Sequence, residues 1–332
     1  MGEAPFFVTD LGTLHHADCL SWLAALEPES IDCVVTSPPF WGLRNYGAEG
    51  QLGQERTPQE YIENMRRVFA LVQKALKHDG SLWLNLGDNF YGGPPKTQPK
   101  DARGLERETL VDLVCEKCGV SFRGRPTRRF CTSKCGGSLN RRRTGFERPK
   151  CLLGLPWRVA TAMVEKDDWT LRNDVVWHKP NARPSPFEDR LSLTYEHLFH
   201  FTKPGRWING RKWDAAYYYD LDAMKIPAKG RGMKNRGDVW SINTVQSREG
   251  HYAVFPPSLI EQPIRATCPI KGVVCDPFMG TGTVAIVAEA LGRHWIGCEI
   301  GKKHCETIAR RVRDVRASTV FSGQNTDSTP HS

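Results

Sequence analysis

Three short stretches of this chain hold side chains whose types and spacing could do chemistry. The first is Asp276-Pro277-Phe278-Met279-Gly280-Thr281-Gly282-Thr283, where a carboxylate ends the apolar run Val273-Val274-Cys275 and two glycines follow. Gly280 and Gly282 let the backbone approach a ligand and enter the left-handed region. An anion at this place would repel a pyrophosphate and suits a cationic, amino-acid-like ligand. A second acid, Glu299, ends the next apolar run, where it could grip ribose hydroxyls. The second stretch, Ser37-Pro38-Pro39-Phe40, follows Ile31 to Thr36 directly. Two prolines cannot continue a central strand, so the chain leaves the sheet there with carbonyls unpaired beside a hydroxyl and an aromatic ring. The third is Cys115-x2-Cys118 with Cys131-x3-Cys135, four thiols in two close pairs. Such pairs can close a tetrahedral zinc site with no open position, which makes the metal structural; in a reducing compartment a disulfide pair is the weaker alternative.

These stretches need a sheet to hold them. Val273 to Cys275 reads as a buried strand, Val284 to Leu291 as a small apolar helix and Arg293 to Glu299 as the next strand. Gly280 to Ala285 also fits the dinucleotide pattern G-x-G-x-x-A, but an aspartate, a proline and an aromatic precede its first glycine. Upstream, Phe6 to Val8 and a strand around Leu14 precede a helix over Cys19 to Leu26, and Ile31 to Thr36 is a strand. A helix over Pro58 to Leu76 carries a capping box, Thr57 with Glu60, and an apolar stripe of Tyr61, Met65, Phe69, Val72 and Leu76. Ser81 to Asp88, Trp169 to His178 and Leu193 to Thr202 read as strands, and Leu155 to Lys166 as a helix opened by Pro156.

The motifs, in this order, resemble those of S-adenosylmethionine-dependent DNA methyltransferases that modify exocyclic amines. Asp276-Pro277-Phe278-x-Gly280-x-Gly282 is similar to their cofactor motif, and Thr36-Ser37-Pro38-Pro39-Phe40 to their catalytic motif. Serine at its head is typical of cytosine-N4 enzymes, where adenine-N6 relatives more often carry aspartate or asparagine. His251-x-Ala253-x-Phe255-Pro256 and Asn173 to Asn181 match further segments, and an early catalytic motif with a late cofactor motif is the permuted order called the beta class. The resemblance covers Asp18 to Glu299 apart from one insertion. It implies a Rossmann-like α/β domain, a largely parallel sheet with helices on both faces. It also implies a cofactor set of Asp18, Phe255, Asp276, Pro277, Phe278, Gly280, Gly282, Thr283 and Glu299, and catalysis by Ser37, Pro38, Pro39 and Phe40. The implied reaction is methyl transfer to N4 of a cytosine flipped out of duplex DNA. An adenine-N6 enzyme and a zinc-dependent DNA-binding protein with an inactive enzyme domain stand as alternatives.

Charge and composition place the remainder. The net charge of +9 is matched by residues 115–150 alone, where eleven Lys or Arg face only Glu116 and Glu147. A local basic excess of this kind points to a polyanion, and Arg128, Arg129, Arg141, Arg142 and Arg143 are the candidate phosphate contacts. The expected organisation is a methyltransferase domain over 7–91 and 151–317, a basic zinc insertion over 92–150, and a target-recognition segment over 204–250. The polar tail, 318–332, is expected to be disordered. Eleven cysteines, mostly single among apolar residues, and the absence of any long apolar run or basic-then-apolar leader point to a cytoplasmic protein without a membrane partner. A restriction endonuclease acting in the same cell and a homodimer are compatible with this reading.

Overall fold

The structure, a computed structural model, describes residues 4–43, 50–92, 111–116, 118–124, 148–182, 184–208, 212–214, 217–245 and 255–323. In chain order the elements are β1 (Phe7–Val8), β2 (Gly12–His16), α1 (Cys19–Ala24), β3 (Ile31–Thr36), α2 (Pro58–Ala75) and β4 (Leu76–Leu86). A hairpin of β5 (Val111–Val114) and β6 (Ser121–Gly124) precedes α3 (Leu155–Asp167), β7 (Thr170–His178) and β8 (Tyr195–Thr202). Short elements follow: β9 (Arg206–Ile208), β10 (Lys212–Asp214), α4 (Leu221–Met224), β11 (Lys225–Pro227), β12 (Met233–Asn235) and β13 (Val239–Ser241). The chain closes with α5 (Pro257–Thr267), β14 (Val273–Asp276), α6 (Thr283–Ala290), β15 (His294–Glu299) and α7 (Lys302–Gly323). It divides into two compact units, Met1–Asn89 with Gly154–Ser332, and Phe90–Leu153.

The larger unit is built on nine strands in the order β1-β2-β15-β14-β3-β4-β8-β7-β13. From β2 to β4 every pairing is parallel. The expected largely parallel sheet holds over those five strands, but β8 runs antiparallel to both β4 and β7. The physical reason is the connection between β7 and β8: the described residues of 179–194 include no helix to carry the chain back across a face, so the returning strand pairs antiparallel. Helices cover both faces. Alternate residues of the central strands, Cys33, Val35, Trp83 and Val274, pack with Ile260 and Ile264 of α5 and Val284 and Ala288 of α6. Their neighbours Val34, Leu82 and Leu84 are equally buried and point to the other face, the side of α2 with its buried Met65, Phe69 and Val72. The α2 capping box is present as the sequence predicts: Thr57 Oγ1 accepts from the Glu60 N–H, and Glu60 Oε2 accepts from the Thr57 N–H.

Helix α7 continues to Gly323, since extending an existing helix adds a hydrogen bond for each residue ordered. Residues 324–332 lie outside the described residues. Within 204–250, β13 joins the main sheet parallel to β7 and buries Trp240. The Tyr218 N–H donates to the Asp79 carbonyl at the start of β4, so Tyr217 to Tyr219 sit by the amino end of that strand. Tyr217 and Tyr219 pack there on His200, which burial pushes down to about 3 and which stacks neutral on Trp83. These tyrosines are part of the sheet's packing.

Candidate functional site

The carboxyl ends of β3, β4, β7, β14 and β15 meet the amino end of β8 along one edge of the sheet, and there lies a cavity of about 320 Å³. It is lined by Ser37, Pro38, Pro39 and Phe40 after β3, and by Asp276, Pro277, Phe278, Gly280 and Thr283 after β14. Glu299 at the end of β15, Asp18, and Phe255 before α5 complete that side of the wall. All four expected catalytic residues and eight of the nine expected cofactor residues therefore share one cavity. Gly282 stands behind the wall. It opens α6 with φ +81°, and a Cβ there would lie 2.8 Å from Ile308 Cγ2, so glycine is needed for both backbone and packing. Gly280 needs glycine for its φ of +53° alone.

Asp276 is the most constrained of these groups. It is fully buried; Thr36 Oγ1 donates to its Oδ1 at 2.6 Å and the Phe278 N–H at 2.9 Å. Burial raises its pKa to about 7, against which those two hydrogen bonds pull down, and the nearby Glu299 charge adds to the rise. Both partners are neutral donors. Glu299 accepts from the Gly280 and Gly301 N–H groups, each at 2.9 Å, and meets His304 Nδ1 at 3.1 Å. Asp18 caps α1, accepting from the Leu20 and Ser21 N–H groups at 3.0 Å each. Its carboxylate is thus already employed by the helix.

Ser37 sits in a defined hydrogen-bond chain. Its Oγ donates to Asn85 Oδ1 at 3.1 Å, and the buried Asn85 donates through Nδ2 to the His197 carbonyl at 3.1 Å. Because a carbonyl can only accept, Asn85 must present its oxygen to Ser37, and Ser37 must donate its proton to it. The lone pairs of Ser37 Oγ are left to accept. Asp88, also in the wall, accepts from the Gly154 and Leu155 N–H groups and so caps α3, whose N-cap is itself a glycine without a side chain to do so.

Thr281 falls within the aspartate-glycine stretch, and Lys179 and Asn181 within the segment Asn173 to Asn181, whereas nothing in the sequence singled out Glu196. Thr281 Oγ1 is buried in the wall without a hydrogen-bond partner. Lys179 and Glu196 form an ion pair at 2.7 Å in the same cavity. Asn181 instead tethers Thr244, accepting from its N–H at 2.8 Å and donating to its carbonyl.

In the smaller unit, Cys115 and Cys118 lie in the turn between β5 and β6. The Gly119 N–H donates to the Cys115 carbonyl and Gly119 has φ +71°. Cys131, Cys135, Arg128, Arg129, Arg141, Arg142 and Arg143 lie outside the described residues, and among the described residues no three metal-ligating side chains come together. No helix among the described residues is long and apolar enough to cross a membrane.

A family model described as DNA methylase matches residues 31–310. Among curated relatives, the type II methyltransferase M.XycI of Xanthomonas campestris pv. cyanopsidis is 35% identical over 93% of this chain and 90% of its own. M.SmaI of Serratia marcescens is 35% identical over 89% and 88%. Among solved structures, the PvuII DNA methyltransferase, described as cytosine-N4-specific, superposes with TM-score 0.62 at 20% identity over 96% of both chains. A DNA modification methylase of Thermus thermophilus in complex with S-adenosyl-L-methionine superposes at 0.53 with 20% identity, over 91% of this chain and 95% of that one. With its proline motif and its aspartate-glycine motif facing one cavity and the family match spanning both, the chain belongs to the N6/N4 DNA methylase family.

Proposed function

We propose that the chain transfers a methyl group from S-adenosylmethionine to the N4 amine of a cytosine flipped out of duplex DNA. One observation carries the reading: a single cavity joins buried carboxylates on the β14 and β15 side of β3 to an accepting Ser37 at the end of β3 itself. The residues present fit the cofactor. Asp276, buried among neutral donors, suits an ammonium group; Glu299 keeps lone pairs for ribose hydroxyls; and Thr281 Oγ1 has an unmet hydrogen bond at the same wall. Bound there, S-adenosylmethionine supplies an electrophilic methyl group on a sulfonium.

The chain's own work is to prepare the amine. The lone pair of an exocyclic amine is delocalised into the ring, which makes it a poor nucleophile. Ser37 Oγ, its proton committed to Asn85, accepts one N–H, and the Pro38 carbonyl accepts the other. Two acceptors below the nitrogen favour a pyramidal geometry with the lone pair aimed away from them. Phe40 offers a face on which the base stacks, and the cavity holds both reactants in line. No histidine base is required; the cationic product amine is strongly acidic and gives its surplus proton to solvent water as the product leaves.

In the smaller unit, Cys115 and Cys118 occupy a tight turn closed by a left-handed glycine, the kind from which a Cys-x2-Cys pair chelates one ion. With Cys131 and Cys135 they would hold a structural zinc, and the arginines around them would contact DNA phosphates. The domain limits 7–91, 92–150 and 151–317, the permuted motif order, a restriction endonuclease in the same cell and a homodimer belong to the same reading.

Mass spectrometry of nucleosides from DNA methylated by the purified protein tests the base assignment. N4-methylcytosine is the expected product; N6-methyladenine as the sole product would move the protein to the adenine branch of its family.

A further inference from the structure

We propose that Lys179, held by Glu196, reads the ring edge of the flipped base beside its reacting amine and selects cytosine there, an inference that rests on the base-methylation reading above. The sheet order gives the placement. β3 lies between β14 and β4, so the cofactor residues stand on one side of Ser37, and β4, β8 and β7 carry the cavity wall on the other. Lys179 follows β7 and Glu196 lies near the start of β8. Their side chains are 15% and 11% exposed and joined at 2.7 Å, and both face the cavity. Gly87 brings this pair against Phe40: a Cβ on Gly87 would lie 2.7 Å from Phe40 Cε2 and 3.2 Å from Glu196 Cγ. A base stacked on Phe40 with its amine at Ser37 therefore presents its ring edge to the Lys179 and Glu196 wall.

The donor count matches cytosine. A lysine ammonium has three N–H donors; one is spent on Glu196, and two remain. Next to its N4 amine cytosine carries two adjacent acceptors, N3 and O2, whereas adenine next to its N6 amine carries N1 and then a C–H. Charge matters as well. The amine becomes cationic as the methyl group arrives, and a lone ammonium beside it would oppose the reaction; the Glu196 carboxylate cancels that charge. Lys179 is the specificity-determining residue and Glu196 the positioning residue.

The test uses full-length protein and duplexes carrying its target site, located first by sequencing DNA that the wild-type protein has methylated, with either cytosine or 3-deazacytosine, in which the N3 acceptor is replaced by C–H. Dissociation constants are compared for wild type, K179M and K179A in the presence of a non-reactive cofactor analogue. The preference for cytosine over 3-deazacytosine should be about tenfold larger in wild type than in either variant. E196Q should keep the preference and slow single-turnover methylation, a split that loss of folding would not produce. S-adenosylmethionine affinity reports the integrity of each variant, and either lysine variant alone decides. An equal preference in wild type and an intact lysine variant overturns the role of Lys179 while leaving the methyltransferase reading untouched. A wild-type product other than N4-methylcytosine overturns the base assignment and this inference with it.

Discussion

The two flanks of β3 treat charge in opposite ways. On the β14 and β15 flank, Asp276 and Glu299 are buried carboxylates served mainly by backbone N–H groups and a hydroxyl. On the β8 and β7 flank the cavity's acid is matched to a base, Glu196 to Lys179 at 2.7 Å. Buried carboxylates held mostly by neutral donors cost folding free energy and are useful where a cation will arrive. A neutralised pair such as Lys179 with Glu196 costs less and suits a neutral, hydrogen-bonding guest. On the reading proposed above, the contrast assigns the sulfonium amino acid to the first side and the base to the second, and it can be broken by experiments that hit one flank and spare the other.

Ser37→Ala gives the largest effect. Removing the acceptor proposed to act on the reacting amine should lower kcat by about a hundredfold to a thousandfold, with S-adenosylmethionine affinity unchanged. Single-turnover rates beside calorimetry show both. Asn85→Ala acts one bond further away: Ser37 keeps its oxygen but loses the partner that fixes its proton, and kcat should fall about tenfold, the scale of a hydrogen bond. A drop equal to that of Ser37→Ala would mean that Asn85 holds the motif's backbone and does more than orient a hydroxyl.

Acidity sharpens the comparison on the cofactor flank. Burial pushes the Asp276 carboxyl up to about 7 from an ordinary value of 3.8. Between those values the folded chain keeps a proton that the unfolded chain has lost, so this group's contribution to stability falls as pH rises through that window. An ammonium ligand needs the carboxylate. Cofactor affinity should therefore weaken by up to about tenfold for each pH unit below 7, and Asp276→Asn should abolish that dependence. Titrations at pH 5.5, 6.5 and 7.5 would read it.

The smallest effects belong to the basic insertion. Replacing Arg141, Arg142 and Arg143 by alanine should flatten the dependence of log K on log salt by up to about 3 units if all three neutralise phosphates, and should leave cofactor affinity alone. Replacing Cys115 and Cys118 by serine should release one zinc per chain, measured by metal analysis. An unchanged salt slope would leave the residues of 204–250 as the candidate DNA-reading element.

What could be read before folding was whatever local chemistry dictates. The strand before Ser37-Pro38-Pro39-Phe40, the capped α2 and the two positive-φ glycines after Asp276 follow from proline, capping and glycine rules acting within a few residues. The partners of those groups were not legible, because they are set by register between distant strands. Asn85 faces Ser37 only because β4 pairs in parallel with β3, and its amide is oriented only because β8 returns antiparallel beside it. Lys179 meets Glu196 across the β7 and β8 pairing, and His304 reaches Glu299 from the first turn of α7. Asp18 and Asp88 show the converse. Each looked available for chemistry or was passed over as part of a strand, and each turns out to cap a helix that opens beside the cavity.

The most direct test of two separate flanks is calorimetric titration of S-adenosylmethionine into wild type, Asp276→Ala, Glu299→Ala and Ser37→Ala. Losing a charge-assisted contact should weaken binding by about tenfold to a hundredfold in each acid variant, while Ser37→Ala binds as wild type does. Unchanged affinity in both acid variants, or a loss in Ser37→Ala equal to theirs, would contradict the assignment of the β14 and β15 flank to the cofactor.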